Sequence, residues 1–136
     1  FGLYYVHVAR ERHATDLQAL ESRFALAGEY AGRALPPNAV VLATQQSGSI
    51  RFHGRRDTIA WDAIPEHDLD AYLDRLRAAG RTPFIALEDE EEPRFRRRFD
   101  GQRAGALDWR PMAEIHAPVR VRFYDPLSAR TSPRSD

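Results

Sequence analysis

Residues 38–56 read NAVVLATQQSGSIRFHGRR, and the fold turns on how this stretch is read. It opens with a continuous apolar run, Ala39-Val40-Val41-Leu42-Ala43. A short apolar run with β-branched residues predicts a strand buried on both faces. The run breaks into Thr44-Gln45-Gln46-Ser47-Gly48-Ser49, continues through Ile50-Arg51-Phe52-His53 and is punctuated by Gly54-Arg55-Arg56. The polar segment falls where the strand would end. In open α/β sheets, ligands bind outside the carboxyl ends of the strands. A site belonging to this chain is therefore expected there first.

Upstream, Leu17, Leu20, Phe24, Ala27, Ala31 and Ala34 recur at the spacing of one helix face. Thr15 or Asp16 is placed to cap that helix, and Pro36-Pro37 stops it. Within the polar segment, Ser47 or Ser49 is placed to cap a short helical turn through Arg51 and Phe52. Thr58-Ile59-Ala60-Trp61 predicts a second strand, and Asp62 to Pro65 leads into a helix with Leu69, Tyr72, Leu73 and Leu76 on its apolar face. Gly80 lies where a left-handed helix terminus is wanted, and Pro83-Phe84-Ile85-Ala86-Leu87 predicts a third, fully buried strand. Met112 to Tyr124 alternates as two short strands about Ala117-Pro118, with Val119, Val121 and Phe123 opposite Arg120 and Arg122. The expected fold is α/β: a three-layer Rossmann-like, mostly parallel sheet with flanking helices and a C-terminal antiparallel edge hairpin. The expected organisation is a juxtamembrane or cut-edge segment at 1–14, one α/β domain at 15–126 and a disordered tail at 127–136.

The 136 residues are 43% hydrophobic, enough for a single-domain core. The formal net charge of +0 speaks against a nucleic-acid partner, which normally requires a basic face. All 20 basic residues are Arg, so Schiff-base and P-loop lysines are excluded. Cys 0 excludes disulfides, thiolate metal sites and Cys nucleophiles. No run approaches the ~20 apolar residues of a membrane span. The opening Phe1-Gly2-Leu3-Tyr4-Tyr5-Val6 suits a membrane–water boundary, or equally an ordinary first strand.

The chemistry on offer is sparse. The run Glu88-Asp89-Glu90-Glu91-Glu92 precedes Pro93 and Arg94 to Arg98, an order that complements a helix dipole with the acids at its start. A cation site needs convergent ligands, whereas consecutive acids point apart, so dipole complementation is favoured and no metal site is expected. Glu88 and Asp89 are partial exceptions, because they fall at the third strand's carboxyl end. Ser47 and Ser49 lack the Gly-x-Ser-x-Gly elbow of a serine nucleophile, and His53, His67 and His116 are scattered in sequence. Anion binding by the loop, with Arg51 adding a fork of donors, is more plausible chemistry. The candidate ligand-binding residues are thus Gln45, Gln46, Ser47, Ser49, Arg51, Glu88 and Asp89, with no catalytic residue named. Trp61 and Trp109 are read as core or rim aromatics before sugar-stacking ones.

Several segments, in order, resemble a known family. They are Leu35-Pro36-Pro37-Asn38-Ala39-Val40-Val41-Leu42, Gln46-Ser47-Gly48-Ser49-Ile50-Arg51-Phe52, Trp61-Asp62, Pro83 to Asp89 with Glu91-Glu92-Pro93-Arg94-Phe95, and Arg120-Val121-Arg122-Phe123-Tyr124-Asp125-Pro126. Together they are similar to the C-terminal soluble domain of bacterial polytopic membrane glycosyltransferases of the GT-C class, the protein mannosyltransferase-like enzymes. The resemblance implies a parent in the plasma membrane that uses a polyprenyl-phosphate sugar donor, with this domain on the extracytoplasmic side. It implies that the catalytic acid lies in an early loop of the parent, so that this stretch supports acceptor or partner recognition without being catalytic alone. The implied partners are the membrane part of the same polypeptide and a polyprenyl-phosphate sugar or glycan acceptor. No cofactor is implied for this stretch, though the parent has room for a divalent cation. The alternative expectation is a stand-alone α/β carbohydrate- or phosphate-binding module or hydrolase.

Overall fold

In a computed structural model the apolar run forms strand β1, Ala39–Leu42, buried at every residue as expected. The structure describes the backbone of residues 15–116 and 119–128, and the side chains of residues 25–116 and 119–128. Helix α1, Thr15–Ala34, precedes β1, and helix α2, Ser47–Phe52, follows it. Then come β2, Asp57–Ile59, a 3₁₀ turn at Trp61–Ala63 and α3, Leu69–Ala78. Strand β3, Thr82–Glu88, leads into α4, Glu91–Arg98, and a second 3₁₀ turn spans Ala104–Ala106. Strands β4, Ala113–His116, and β5, Arg120–Tyr124, close the fold.

Among the described residues, five strands form one mixed sheet in the order β2-β1-β3-β5-β4. Val41 sits between Thr58 of β2 and Phe84 of β3, parallel to both. Strand β5 runs antiparallel to β3, with Ala86 opposite Phe123, and pairs β4 on its far side. The expected hairpin is present, but only β4 is the edge, because β5 is flanked on both sides. The predicted strand over 58–61 is shorter and starts earlier, since Trp61 already belongs to a 3₁₀ turn.

Alternation along the strands feeds two separate cores. Leu42, Ile85, Leu87 and Tyr124 pack with Leu69 and Leu73 of α3, with Phe95 of α4 and with Phe99 just past its end. Val41, Phe84, Ala86, Val121 and Phe123 pack with Ala27 and Ala31 of α1 and with Ile50 of α2. Each fully buried large apolar side chain contributes about 1.5–3 kcal/mol relative to exposure. Ala34, expected on the apolar face of α1, is exposed, and Leu35 just past the helix is buried in its place. The side chains of Leu17, Leu20 and Phe24, the capping role of Thr15 or Asp16, and the segment 1–14 lie outside the described residues, as do 129–136. Gly80 takes φ +81, the left-handed terminus anticipated after α3.

Helices α1 and α2 touch backbone to backbone. A Cβ on Gly28 would stand 2.3 Å from the Ser49 carbonyl oxygen. The Gly28 amide donates to Ser49 Oγ at 3.1 Å. Arg56 then ties the following loop to α1, its Nη2 donating to the carbonyls of Gly32 at 3.2 Å and Leu35 at 2.8 Å. Ser49 thus holds α2 on α1 and does not cap α2. The N-cap position falls on Gln46, with no side-chain bond to the helix.

Candidate functional site

The polar segment after β1 meets the acidic run after β3, because the two strands are parallel neighbours in register. Gln46, Glu88 and Glu91 are 0%, 6% and 0% exposed, so every polar atom there needs an internal partner. Gln46 Nε2 donates to Glu88 Oε2 at 2.7 Å. Glu91 turns back onto the strand end: its Oε2 accepts the Glu88 amide at 2.9 Å, and its Oε1 accepts Trp61 Nε1 at 3.0 Å and the Thr44 hydroxyl. One carboxylate therefore ties together the ends of β1 and β3 and the 3₁₀ turn. Gln46 Oε1 is buried and has no hydrogen-bond partner among the described residues.

A second group extends the network along the antiparallel half. Glu92 Oε2 accepts Arg122 Nη1 at 2.8 Å and the Tyr124 hydroxyl at 3.1 Å. Arg122 also donates through Nε to Glu114 at 2.7 Å, and its guanidinium is held charged by Glu92 and then by Glu114. Burial, reinforced by the charge of Glu92, pushes the Tyr124 phenol up to about 12. The hydrogen bond from Arg122 draws the Glu114 carboxyl below its ordinary value. Asp89 takes both its oxygens to Arg120 Nε, at 3.0 and 3.1 Å. Beside this group lies an open, shallow depression with Glu92, Arg96, Trp109, Arg110, Glu114 and Arg122 among its walls.

The candidate residues separate accordingly. Gln46 and Glu88 come together, but they face each other. Asp89 joins the Arg120 pair. Ser47 Oγ donates back to the Thr44 carbonyl at 2.9 Å, and Ser49 is occupied with Gly28. Gln45 and Arg51 remain exposed. His53, His67 and His116 are all exposed. Trp61 and Trp109, at 4% and 7% exposure, are core aromatics, as the sequence favours.

No protein-family model, curated protein or solved structure matches the chain.

The acidic run does more than complement a helix dipole. Arg96 does approach Glu92 at 3.4 Å one turn on, as that reading expects. Yet Glu91 and Glu92 are buried, and both hold other elements in place. Among the described residues, no group of three or more His, Cys, Asp or Glu is placed to hold a metal ion. Glu91, Glu92, Thr44, Arg122 and Tyr124 were not singled out from sequence. The one available signal is Trp61, whose indole N–H usually takes an acceptor once buried; the buried indole of Trp109 finds none among the described residues. Among the described residues, no helix is long and apolar enough to cross a membrane.

Proposed function

We propose that this chain is a soluble, extracytoplasmic accessory domain of a membrane glycosyltransferase that uses a polyprenyl-phosphate sugar donor. Its role is to support acceptor or partner recognition beside an active site carried elsewhere in the parent. One observation carries the reading. Of the segments that bear the resemblance, Gln46, Trp61, Glu88, Glu91, Glu92, Arg122 and Tyr124 bond one another around the carboxyl ends of β1 and β3. There their acids are consumed by internal bonds: Glu88 by Gln46, Glu91 by Thr44 and Trp61, Glu92 by Arg122 and Tyr124. Carboxylates engaged in this way hold elements together, which suits a supporting domain better than one that carries the reaction. In this reading the mixed sheet, with two helices supplied to each core, is a Rossmann-like three-layer arrangement.

Reading the gene upstream of Phe1 tests the proposal. Several apolar segments of ~20 residues before Phe1 are the expected result. Their absence, or robust glycosyl transfer by this chain alone, overturns it. The open, shallow depression walled by Arg96, Arg110 and Arg122 is what an alternative reading, a self-standing carbohydrate- or phosphate-binding module, would use. Saturable binding of free sugars or sugar phosphates, in a gene without upstream spans, would establish that reading instead.

A further inference from the structure

We propose that the outer face of α2 and the loop after it, carrying Arg51, Phe52 and Arg55, seats the chain on a bilayer surface that bears anionic headgroups. Phe52 is 80% exposed, against 50% for Leu127 and 43% for Met112. A lone exposed apolar side chain is ordinary, so Phe52 decides nothing by itself. Its surroundings do. Between Glu29 and Asp57 there is no acidic residue, whereas Arg33, Arg51, Arg55 and Arg56 all fall there. The zero net charge thus conceals a segment of one sign.

The arginines of this segment are not equivalent. Arg56 spends its guanidinium on the carbonyls of Gly32 and Leu35, locking the loop to α1. Arg51 and Arg55 stay exposed, and neither has an ion-pair partner among the described residues. Elsewhere Arg75, Arg81, Arg120 and Arg122 pair with carboxylates, while Arg33, Arg94, Arg97 and Arg110 are exposed like Arg51 and Arg55, so it is the exposed ring between two such cations that sets this face apart. Arg55 also holds φ 52, a left-handed conformation that costs a side-chain-bearing residue. The backbone contacts of α2 on α1 make the platform rigid, so little ordering is left for binding to supply.

The chemistry matches a lipid surface. Guanidinium forks bond phosphate oxygens, and an anionic leaflet attracts each exposed Arg. A phenyl ring between them suits the boundary of headgroups and acyl chains. Two cations and one ring give weak attachment, which is adequate for a domain already tethered to the membrane, where effective concentration is high. Only that tether rests on the function proposed above; the patch itself does not.

The test is co-sedimentation of the whole chain with phosphatidylglycerol vesicles and with phosphatidylcholine vesicles at low salt. The expected result is binding to the anionic vesicles alone, reduced at least threefold in Phe52→Ala and in the Arg51→Glu/Arg55→Glu double variant. The control Arg75→Glu/Arg97→Glu, with the same charge change at exposed positions elsewhere, should bind like the wild type. Equal binding to both vesicle types, an equal loss in the control, or undiminished binding by the double variant overturns the proposal. Concentration-dependent dimerisation that Phe52→Ala abolishes, without vesicle binding, would make a second copy the occupant and also overturn it. Vesicle binding by this patch, with no spans found upstream, would leave this inference standing and remove the transferase reading.

Discussion

At the carboxyl ends of β1 and β3, Gln46, Glu88, Glu91 and Glu92 are at most 6% exposed and bonded to one another's elements. A few residues further along the same segment, Arg51, Phe52 and Arg55 stand in solvent, the Phe52 ring meeting only the exposed His53 ring edge-on at 5.0 Å among the ring contacts of the described residues. The turn of α2 separates the two environments: Ile50 is 0% exposed and faces the core, while Phe52 faces out. Buried polar groups are costly unless satisfied, so the inner set is constrained by stability. No such constraint explains the outer set. Chemical character retained at the surface, where folding does not ask for it, is where recognition by something outside the chain is to be sought.

Substitutions can break that contrast. The largest effect is expected at Glu91. In Glu91→Ala, the Thr44 hydroxyl, the Trp61 indole and the Glu88 amide lose one shared acceptor. Each orphaned buried donor costs about 1–3 kcal/mol, so a loss of at least about 3 kcal/mol is expected in urea unfolding. Glu91→Gln, which keeps an acceptor, should lose clearly less. An Ala variant as stable as the wild type would show that the inner network is not what holds the strand ends.

Gly28→Ala should come next. Its Cβ would lie 2.3 Å from the Ser49 carbonyl oxygen, so α2 must move off α1. Overpacking of this kind costs about 1–3 kcal/mol, partly offset by the better helix propensity of Ala, and thermal unfolding would report it. Tyr124→Phe should cost about 1 kcal/mol by removing the bond to Glu92. Its signature is a pH dependence. The folded state raises the phenol from 10.0 to about 12, so it favours the protonated form. That stability is complete below pH 10 and is lost as the pH rises towards about 12. Because every basic residue is Arg, no lysine titrates in this window. The wild type should therefore lose more stability across it than Tyr124→Phe. The smallest effect belongs to Phe52→Ala, which should shift stability by no more than about 0.5 kcal/mol, because the ring is 80% exposed. A large loss there would place Phe52 among the structural residues and erase the contrast.

Much of the fold was legible because it is written in local pattern. The apolar runs at 39–43 and 83–87, the face of Leu69, Tyr72, Leu73 and Leu76, Gly80 and the alternation at 119–124 each declare their element without reference to distant residues. The site was legible only in outline. Parallel strands bring the loop after 42 beside the acids after 87, which is why Gln46 and Glu88 were both candidates. That the two bond each other, 42 positions apart, is a matter of side-chain geometry that no periodicity encodes. In the same way, five acids in a row give no sign that Glu91 turns inward while Glu90 stays in solvent. Trp61 was assigned to a strand because its side chain is apolar, and nothing local shows that the backbone has already turned there.

The placement of β5 has a consequence for how the chain comes into being. Among the described residues it is the last strand in sequence, yet it lies between β3 and β4. During synthesis, β3 can pair with β1 as soon as it emerges, but its other edge stays bare while residues 89–119 follow. An open apolar edge invites pairing with whatever strand arrives first. A message cut short before Arg120 would then release a sticky product instead of a smaller, quieter domain.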